Sequence, residues 1–431
     1  MLKSRVDAIR VIDSHDHTEP EALARARISP LFSTLGRSFI KNDLINAGTI
    51  DARWKAAENG DVDGWHSLKR YIGLCRNTGY FRCFLTAVRD LLHLDIDELR
   101  DDNWELVSRA LSEANRRPDW YEYVLKTRGN IEAVLWDLLY GEPLSSPEDG
   151  SLFLPVKRFD HLTDLPTRQY RQACLRDYGA EPTTVADVLD IIDTSFRTGM
   201  ADGIVGVKIA AAYRRGIRFQ QSSRMEASQV FTKSPDDVPY AEQLVYQDFL
   251  YAHIIERSIT HDLPIQVHTG MQSATGFLHN GYPLYLEEVI ARYPEAKFVL
   301  LHAGYPFVDA TTELALRHPN VYVDASWLTI LSPSVYRETL SEWLDVLPIE
   351  RIIAWGGDAI KVEMTYGSLV LARAAVTDVL AQKIEAGCFS EEEGDEIAHR
   401  IFRENIRALF RTDSARTRKR KKPHLTSRRV A

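Results

Sequence analysis

The chain has 431 residues, of which 45% are hydrophobic and 26% charged, as expected of a globular protein that buries a large core. No apolar run reaches the ~18 residues of a membrane-spanning helix, the N-terminus lacks the apolar stretch of a signal peptide, and four cysteines are too few for a disulfide scaffold. We therefore expect a cytoplasmic protein in a reducing compartment.

The charge is unevenly distributed along the chain. The formal net charge is −8, yet residues 414–431 contain eight Lys and Arg and no Asp or Glu, so the other 413 residues carry −16. A body this acidic is a poor surface for nucleic acid. We expect a small-molecule substrate, and we expect neither nucleic acid nor a membrane to be a partner. A homo-oligomer remains possible. The basic segment is interpreted as a disordered tail, with targeting or polyanion binding as the alternative.

Eight short apolar runs recur in chain order, and helical patterns follow most of them. The later runs are continuous and rich in β-branched residues, which is typical of strands buried on both faces. Alternation of strands and helices predicts a parallel α/β sheet, and eight strands close a (β/α)8 TIM-like barrel. The runs span residues 11–17, 131–136, 152–156, 203–209, 264–268, 297–302, 321–325 and 351–358.

Two segments depart from a minimal barrel. Residues 18–130 form a long insertion after the first strand, and amphipathic patterns such as residues 102–111 predict a helical subdomain or cap. The barrel then comprises residues 1–17 and 131–413. Residues 210–236 are polar and rich in turn residues, and we interpret them as a loop placed to close over a site.

Polar side chains end five of the predicted strands. In a parallel barrel the carboxyl ends of the strands share one face, where barrel enzymes carry out their chemistry. We therefore expect these side chains to meet. They are His15 and His17 on the first strand, Lys208 on the fourth, His268 on the fifth, His302 on the sixth and Asp358 on the eighth.

The first pair suggests a metal site. His15 and His17 are two residues apart, so both project from the same side of a strand. Together with His268 and Asp358 they offer three imidazoles and one carboxylate, a set that suits Zn²⁺ with one open position. Fe, Mn, Co or Ni would also fit. We predict one or two divalent ions, most simply Zn²⁺, that supply hydroxide at neutral pH.

Asp358 and His302 are the predicted catalytic residues. Asp358 binds the metal, takes a proton from its water, or does both, and His302 polarises a substrate carbonyl or donates a proton. Each residue alone has a plainer explanation, since either histidine could be a core residue and Asp358 could cap the next helix. Their arrival at successive strand ends favours the metal site.

Three basic residues around the fourth strand are predicted to bind substrate. A lysine that ends a buried strand needs a partner, so Lys208 is either carboxylated to bridge two metals, paired with a charge or substrate, or extended towards solvent. Arg214 and Arg215 follow it, and guanidinium groups suit a substrate carboxylate. At least one of these arginines is expected to be an ordinary solvated loop charge.

Several of these motifs together resemble the amidohydrolase superfamily, and more narrowly its amidohydrolase-related group of metal-dependent barrel enzymes. Residues 207–216 are similar to the amidohydrolase module that is fused to glutamine-synthetase-like domains in FluG and nodulin-type proteins. The resemblance implies that His15, His17, His268 and Asp358 are metal ligands. It further implies that His302 is a second-metal ligand or catalytic acid. The motifs are residues 12–17, 266–270, 301–306 and 356–359.

These inferences predict a metal-dependent amidohydrolase. It would hydrolyse an amide or related C–N bond of a small carboxylate-bearing substrate through metal-bound hydroxide. A non-oxidative decarboxylase or a sugar-acid isomerase on the same scaffold is the alternative reaction. A barrel without catalysis that serves as an interaction module is the alternative from a different class.

Overall fold

A computed structural model describes residues 2–25, 30–50, 54, 60–137, 152–273 and 276–413. Eight parallel strands form one sheet in which each strand pairs with the next in chain order. This order confirms the predicted (β/α)8 barrel. The strands are β1 (Val11–Asp16), β2 (Ile131–Asp137), β3 (Phe153–Arg158), β4 (Gly206–Ile209), β5 (Ile265–His268), β6 (Phe298–Leu301), β7 (Val321–Asp324) and β8 (Ile352–Ile353).

Two strands are shorter than the sequence predicts by three residues or more, each for a local backbone reason. β4 starts at Gly206 rather than at residue 203, because Gly203 takes a left-handed conformation (φ 85°) that ends the preceding helix. β8 has two residues rather than eight. Beyond it Asp358 is also left-handed (φ 46°), so this segment leaves the sheet as a loop.

Helices follow the strands and cover the outside of the barrel. The helical patterns predicted between the later strands are all found, with ends that differ by a few residues. None of the described helices is long and apolar enough to cross a membrane. From β3 onward the α-helices are Arg168–Tyr178, Val185–Asp202, Arg224–Phe231, Tyr240–Thr260, Glu287–Arg292, Val308–Arg317, Leu328–Leu331, Pro333–Val346, Val362–Glu385, Glu391–His399 and Asn405–Phe410.

The last helix, Asn405–Phe410, closes the amino-terminal end of the barrel. Its apolar side chains belong to the same buried cluster as Ile12 and Leu154 of the strands. Phe410 lies against Gly206, the first residue of β4. The Asn405 amide donates hydrogen bonds to the carbonyls of Ile349 and Ile352 at 2.7 and 2.8 Å. The opposite, carboxyl-terminal end is therefore where a ligand can reach the barrel.

The predicted insertion is helical in its described part. It forms its own buried cluster, which also includes Trp327 and Met364 from the barrel. Its separation as a domain stays a prediction, and the basic tail at residues 414–431 lies outside the described residues. The helices that precede β1 or lie between β1 and β2 are Leu2–Ala8, Glu21–Arg25, Pro30–Gly36, Ile40–Asn46, Asp61–Cys75, Gly79–Leu92, Trp104–Arg116 and Trp120–Glu122.

The polar segment at residues 210–236 is not simply a loop. It contains helix Arg224–Phe231, which buries Ala227, Val230 and Phe231. The helix starts with a capping box in which Ser223 and Glu226 satisfy each other's backbone N–H groups. The Ser-x-x-Glu spacing is visible in the sequence, so this helix was predictable.

Helix Gly79–Leu92 of the insertion packs directly on helix Val362–Glu385 of the barrel. A Cβ atom on Gly367 would lie 2.3 Å from the Cys83 carbonyl oxygen, and one on Gly79 would lie 2.2 Å from that of Ile330. The Cys83 thiol also donates to the carbonyl of Met364 at 3.3 Å. Glycine therefore sets the close approach of the insertion to the barrel.

We predict that Gly367→Ala lowers the free energy of unfolding by about 1–3 kcal/mol, because the added methyl group forces the two helices apart. Gly73→Ala is the matched control, since Gly73 is also helical and has no neighbouring atom within 4 Å of an added Cβ. The control should gain about 0.5–1 kcal/mol. Urea unfolding measures both, and equal stability of the two variants would contradict the close packing.

Candidate metal centre and its cavity

Three of the predicted ligands meet at the carboxyl end of the barrel. Nε2 of His15 lies 3.4 Å, and Nε2 of His17 3.3 Å, from Oδ1 of Asp358. One donor atom from each of the three lies within 4.8 Å of the others. Donors that share a cation at bonds of 2.0–2.2 Å lie roughly 3.3–3.5 Å apart in a tetrahedron. The cluster therefore fits a divalent cation.

The electrostatics of the cluster agree with this fit. Burial and the nearby Lys208 ammonium hold the pKa of His15 well below its usual range, which leaves the neutral imidazole that metals bind. Burial alone would also lower the pKa of His17, but the carboxylates of Asp137 and Asp358 outweigh it and raise that pKa. The two carboxylates thus favour positive charge at this position.

The backbone around Asp358 is held against β1. The N–H of Asp358 donates to the His15 carbonyl at 2.8 Å, and the N–H of Gly357 donates to Oδ1 of Asp13 at 2.9 Å. A Cβ on Gly357 would lie 2.4 Å from an Asp16 oxygen, so no larger residue fits there. Asp13 and Asp16 therefore support the loop that carries Asp358.

A carboxylate that the sequence analysis missed connects the basic residues of the site. Oδ2 of Asp137 lies 3.9 Å from Nε2 of both His15 and His17 and 3.8 Å from Nζ of Lys208. Arg158 binds the same carboxylate through two hydrogen bonds of 2.7 Å. Although burial opposes it, the Arg158 guanidinium lowers the pKa of Asp137. Asp137 ends β2 and Arg158 ends β3, so the strand-end rule applied to them too.

Lys208 is fully enclosed in this network. Its Nζ lies 3.2 Å from Nε2 of His15, and its side chain is 1% exposed. Burial lowers the pKa of Lys208 to about 8, while the Asp137 carboxylate works in the opposite direction. The charge partner that the sequence required is therefore Asp137, and carboxylation of Lys208 stays a prediction.

His268 and His302 form a chain of hydrogen bonds next to the cluster. Nε2 of His268 lies 2.9 Å from the Met271 carbonyl, so this nitrogen is the donor and Nδ1 is the acceptor. Nε2 of His302 lies 3.1 Å from Nδ1 of His268, and Nδ1 of His302 lies 3.2 Å from both the hydroxyl and the carbonyl oxygen of Ser326. Burial lowers the pKa of His302 to about 4, which keeps its imidazole neutral.

These hydrogen bonds give the two histidines partners other than the metal and the substrate that the sequence predicts for them. Both nitrogens of His268 are engaged within the protein, so His268 does not join the cluster of three in this arrangement. Nδ1 of His302 lies 4.0 Å from Oδ2 of Asp358. His268 lines the cavity, whereas His302 does not. The ligand role of His268 and the catalytic role of His302 stay predictions.

The two predicted substrate arginines lie in different places. Arg214 lines the cavity and binds the Asp164 carboxylate at 2.8 and 2.9 Å. Arg215 is buried away from the cavity, where it pairs with Asp248 at 2.7 Å and lies over the Phe219 ring. The structure thus brings Arg214 to the site and holds Arg215 in a buried ion pair, not as a solvated loop charge.

The cluster opens into a cavity of about 470 Å³. Asp358 is the sole carboxylate among its described lining residues, and the other charged residues there are cationic. The insertion contributes residues 36–39, Lys41 and Asn42 to the wall. The cationic lining residues are Arg37, Lys41, Arg158, Lys208 and Arg214.

Strained backbone occurs after three successive strands at this end of the barrel. His302 (φ 64°), Trp327 (φ 66°) and Asp358 (φ 46°) all take left-handed conformations, which cost a non-glycine residue free energy. They follow β6, β7 and β8. Such conformations cluster at functional sites because they aim side chains that regular strands would direct elsewhere.

Comparison with known proteins agrees with this geometry. The amidohydrolase family model matches residues 200–412. Protein fluG of Emericella nidulans is 28% identical over 304 residues, which are 67% of this chain and 32% of fluG. The chain thus corresponds to about a third of that relative's length.

Solved structures share the whole fold. A Lactobacillus casei protein assigned as a metal-dependent hydrolase superposes with a TM-score of 0.68 at 18% identity, covering 96% of this chain and 98% of that one. Glucuronate isomerase from Caulobacter crescentus gives a TM-score of 0.77 at 14% identity, covering 96% and 93%. At these identities the likeness concerns the fold.

We predict that His15→Ala and His17→Ala each reduce bound metal at least about tenfold, because each removes one of three converging donors. Elemental analysis after incubation with Zn²⁺ or Mn²⁺ measures the stoichiometry. Added metal should also raise the melting temperature of the unsubstituted chain but not of these variants.

His253→Ala is the matched control, because His253 pairs with Asp193 on the outer helices. It should bind metal as the unsubstituted chain does. His268→Ala tests the fourth predicted ligand in the same assay. Undiminished metal in both His15→Ala and His17→Ala would contradict the site.

Proposed function

Because this chain belongs to the amidohydrolase-related group and is an enzyme of that type, we propose that it is a metal-dependent hydrolase of a small carboxylate-bearing substrate. The bond cleaved is an amide or a related C–N bond. One observation carries the proposal: His15, His17 and Asp358 converge at a cavity whose other charged lining residues are all cationic. Cationic walls favour an anionic substrate.

The three converging residues would hold the divalent cation, for which Zn²⁺ is our proposal. When bound there, the cation would lower the pKa of a water molecule and polarise the substrate carbonyl. His17 is kept in place by the Asp137 main chain, whose carbonyl lies 3.3 Å from Nδ1 of His17. Such second contacts fix the orientation of a ligating imidazole.

Asp358 is the proposed proton carrier. Its carboxylate lies between the two imidazoles and lines the cavity, so it can accept a proton from the attacking water and pass it to the leaving nitrogen. Arg214 stands at the same cavity, where its guanidinium can bind the substrate carboxylate. His268 lines the same cavity next to His302, and their roles as metal ligand and catalytic acid stay predictions.

A sugar-acid isomerase is the second candidate. Glucuronate isomerase matches this chain over almost its full length, including the region between β1 and β2. A uronic acid also carries a carboxylate that a cationic cavity would accept. The third outcome, a decarboxylase, would use the same cavity and release carbon dioxide without consuming water.

We predict that the metal-loaded enzyme releases amine or ammonia from a panel of N-acyl amino acids and amino acids with side-chain amides, all of which carry a free carboxylate. Asp358→Asn should lower kcat by about 10²–10⁴, because the amide cannot carry the proton. Parallel assays follow ketose formation from uronic acids and carbon dioxide from aromatic acids. If the enzyme turns over uronic acids or releases carbon dioxide but hydrolyses none of the amides, that reaction replaces the hydrolase proposal.

A further inference from the structure

The cavity wall made by the insertion carries positive charge that carboxylates of the described residues balance only in part. Arg37 and Lys41 both line the cavity, together with Ser38, Phe39 and Asn42. This stretch connects helices Pro30–Gly36 and Ile40–Asn46, so it reaches the barrel as a loop and a first helical turn. We call residues 36–42 the insertion wall.

Arg37 shares its carboxylate with another cation. Nε of Arg37 lies 3.1 Å from Glu19, but the same carboxylate also binds Lys361 closely. Glu19 is buried, whereas the Arg37 side chain is 41% exposed. Arg37 therefore competes with Lys361 for one carboxylate, and Arg37 is the member of this group that lines the cavity.

Lys41 has no carboxylate partner among the described residues. Its Nζ lies 5.4 Å from the Trp54 ring centroid, a contact that favours the ammonium but leaves its charge uncompensated. Lys41 is partly exposed and lines the cavity. The insertion wall therefore offers two positive charges to the cavity.

The barrel side of the cavity is balanced differently. Arg158 is held by two hydrogen bonds to Asp137, and Arg214 by two to Asp164. Lys208 lies beside Asp137 as well. With Asp358 included, the three barrel cations face the three carboxylates of Asp137, Asp164 and Asp358. Among the described residues, the positive charge left over for a ligand thus lies mainly on the insertion wall.

We propose that Arg37 and Lys41 bind a second acidic group of the substrate, which is therefore a dianion such as a dicarboxylate. An arginine fork binds a carboxylate or a phosphoryl group through paired hydrogen bonds, and a lysine adds a point charge. The Asn42 residue lines the same stretch, and its side-chain amide can donate a further hydrogen bond. The inference deepens the proposed function and rests on it only for the reaction.

Calorimetric titration of the metal-loaded full chain tests this with three probes of similar length. Glutarate carries two carboxylates, 3-phosphonopropionate carries a carboxylate and a phosphonate, and butyrate carries one carboxylate. We expect one or both dianions to bind at least tenfold more tightly than butyrate. The tighter of the two identifies the acidic group as carboxylate or phosphoryl.

Variants then locate the second group. Lys41→Gln and Arg37→Gln should each weaken the dianion about tenfold and leave butyrate unchanged, and Lys41→Arg should restore most of the loss. Arg70→Gln is the matched control, because Arg70 is exposed on the same insertion and does not line the cavity. Melting temperatures confirm that every variant is folded.

Equal binding of butyrate and both dianions would overturn the inference. So would equal losses for butyrate and the dianion in Lys41→Gln and Arg37→Gln, since the variants would then act on a single shared carboxylate. Because binding is measured without turnover, a dianion that binds as expected but is not hydrolysed would refute only the proposed reaction. Hydrolysis of monoacid amides without any preference for diacids would refute only this inference.

Discussion

The site depends on hydrogen bonds between β1 and the loop after β8, which carries Asp358. The N–H of Asp358 donates to the His15 carbonyl at 2.8 Å, and the Ser14 hydroxyl donates to the carbonyl of Trp355 at 2.9 Å. These bonds connect the first strand to the segment that follows the last one. They complete the ring of strands and hold the Asp358 carboxylate beside the two imidazoles, so the same hydrogen bonds close the barrel and position the cluster.

The sequence predicted the barrel and three of its converging residues, because both depend on local signals. Continuous apolar runs mark strands buried on both faces, and the polar residue that ends each run marks the shared face. The position of His268 relative to the cluster was not predictable in this way. It depends on which ring nitrogen faces the Met271 carbonyl, and a side-chain orientation of this kind arises only from tertiary packing.

The insertion shows a different limit of sequence analysis. Its helices follow from amphipathic patterns, but residues 36–42 have no periodicity that would assign them to a cavity. Their place depends on the close contacts at Gly79 and Gly367, which are far apart in the chain. Likewise, the adjacent residues Arg214 and Arg215 look equivalent in the sequence, and only the position of Asp248 distinguishes the cavity arginine from the buried one.

The tight helix contact at Gly367 has a consequence for protein engineering. Helix Val362–Glu385 begins four residues after Asp358, so the barrel element against which the insertion rests is covalently next to the reaction centre. Selectivity could be reprogrammed by transplanting residues 18–130 from another protein only if the donor also presents a small residue at the crossing. A grafted segment with a bulky side chain against Gly367 would displace helix Val362–Glu385, and with it the Asp358 carboxylate as well as the grafted part of the cavity wall.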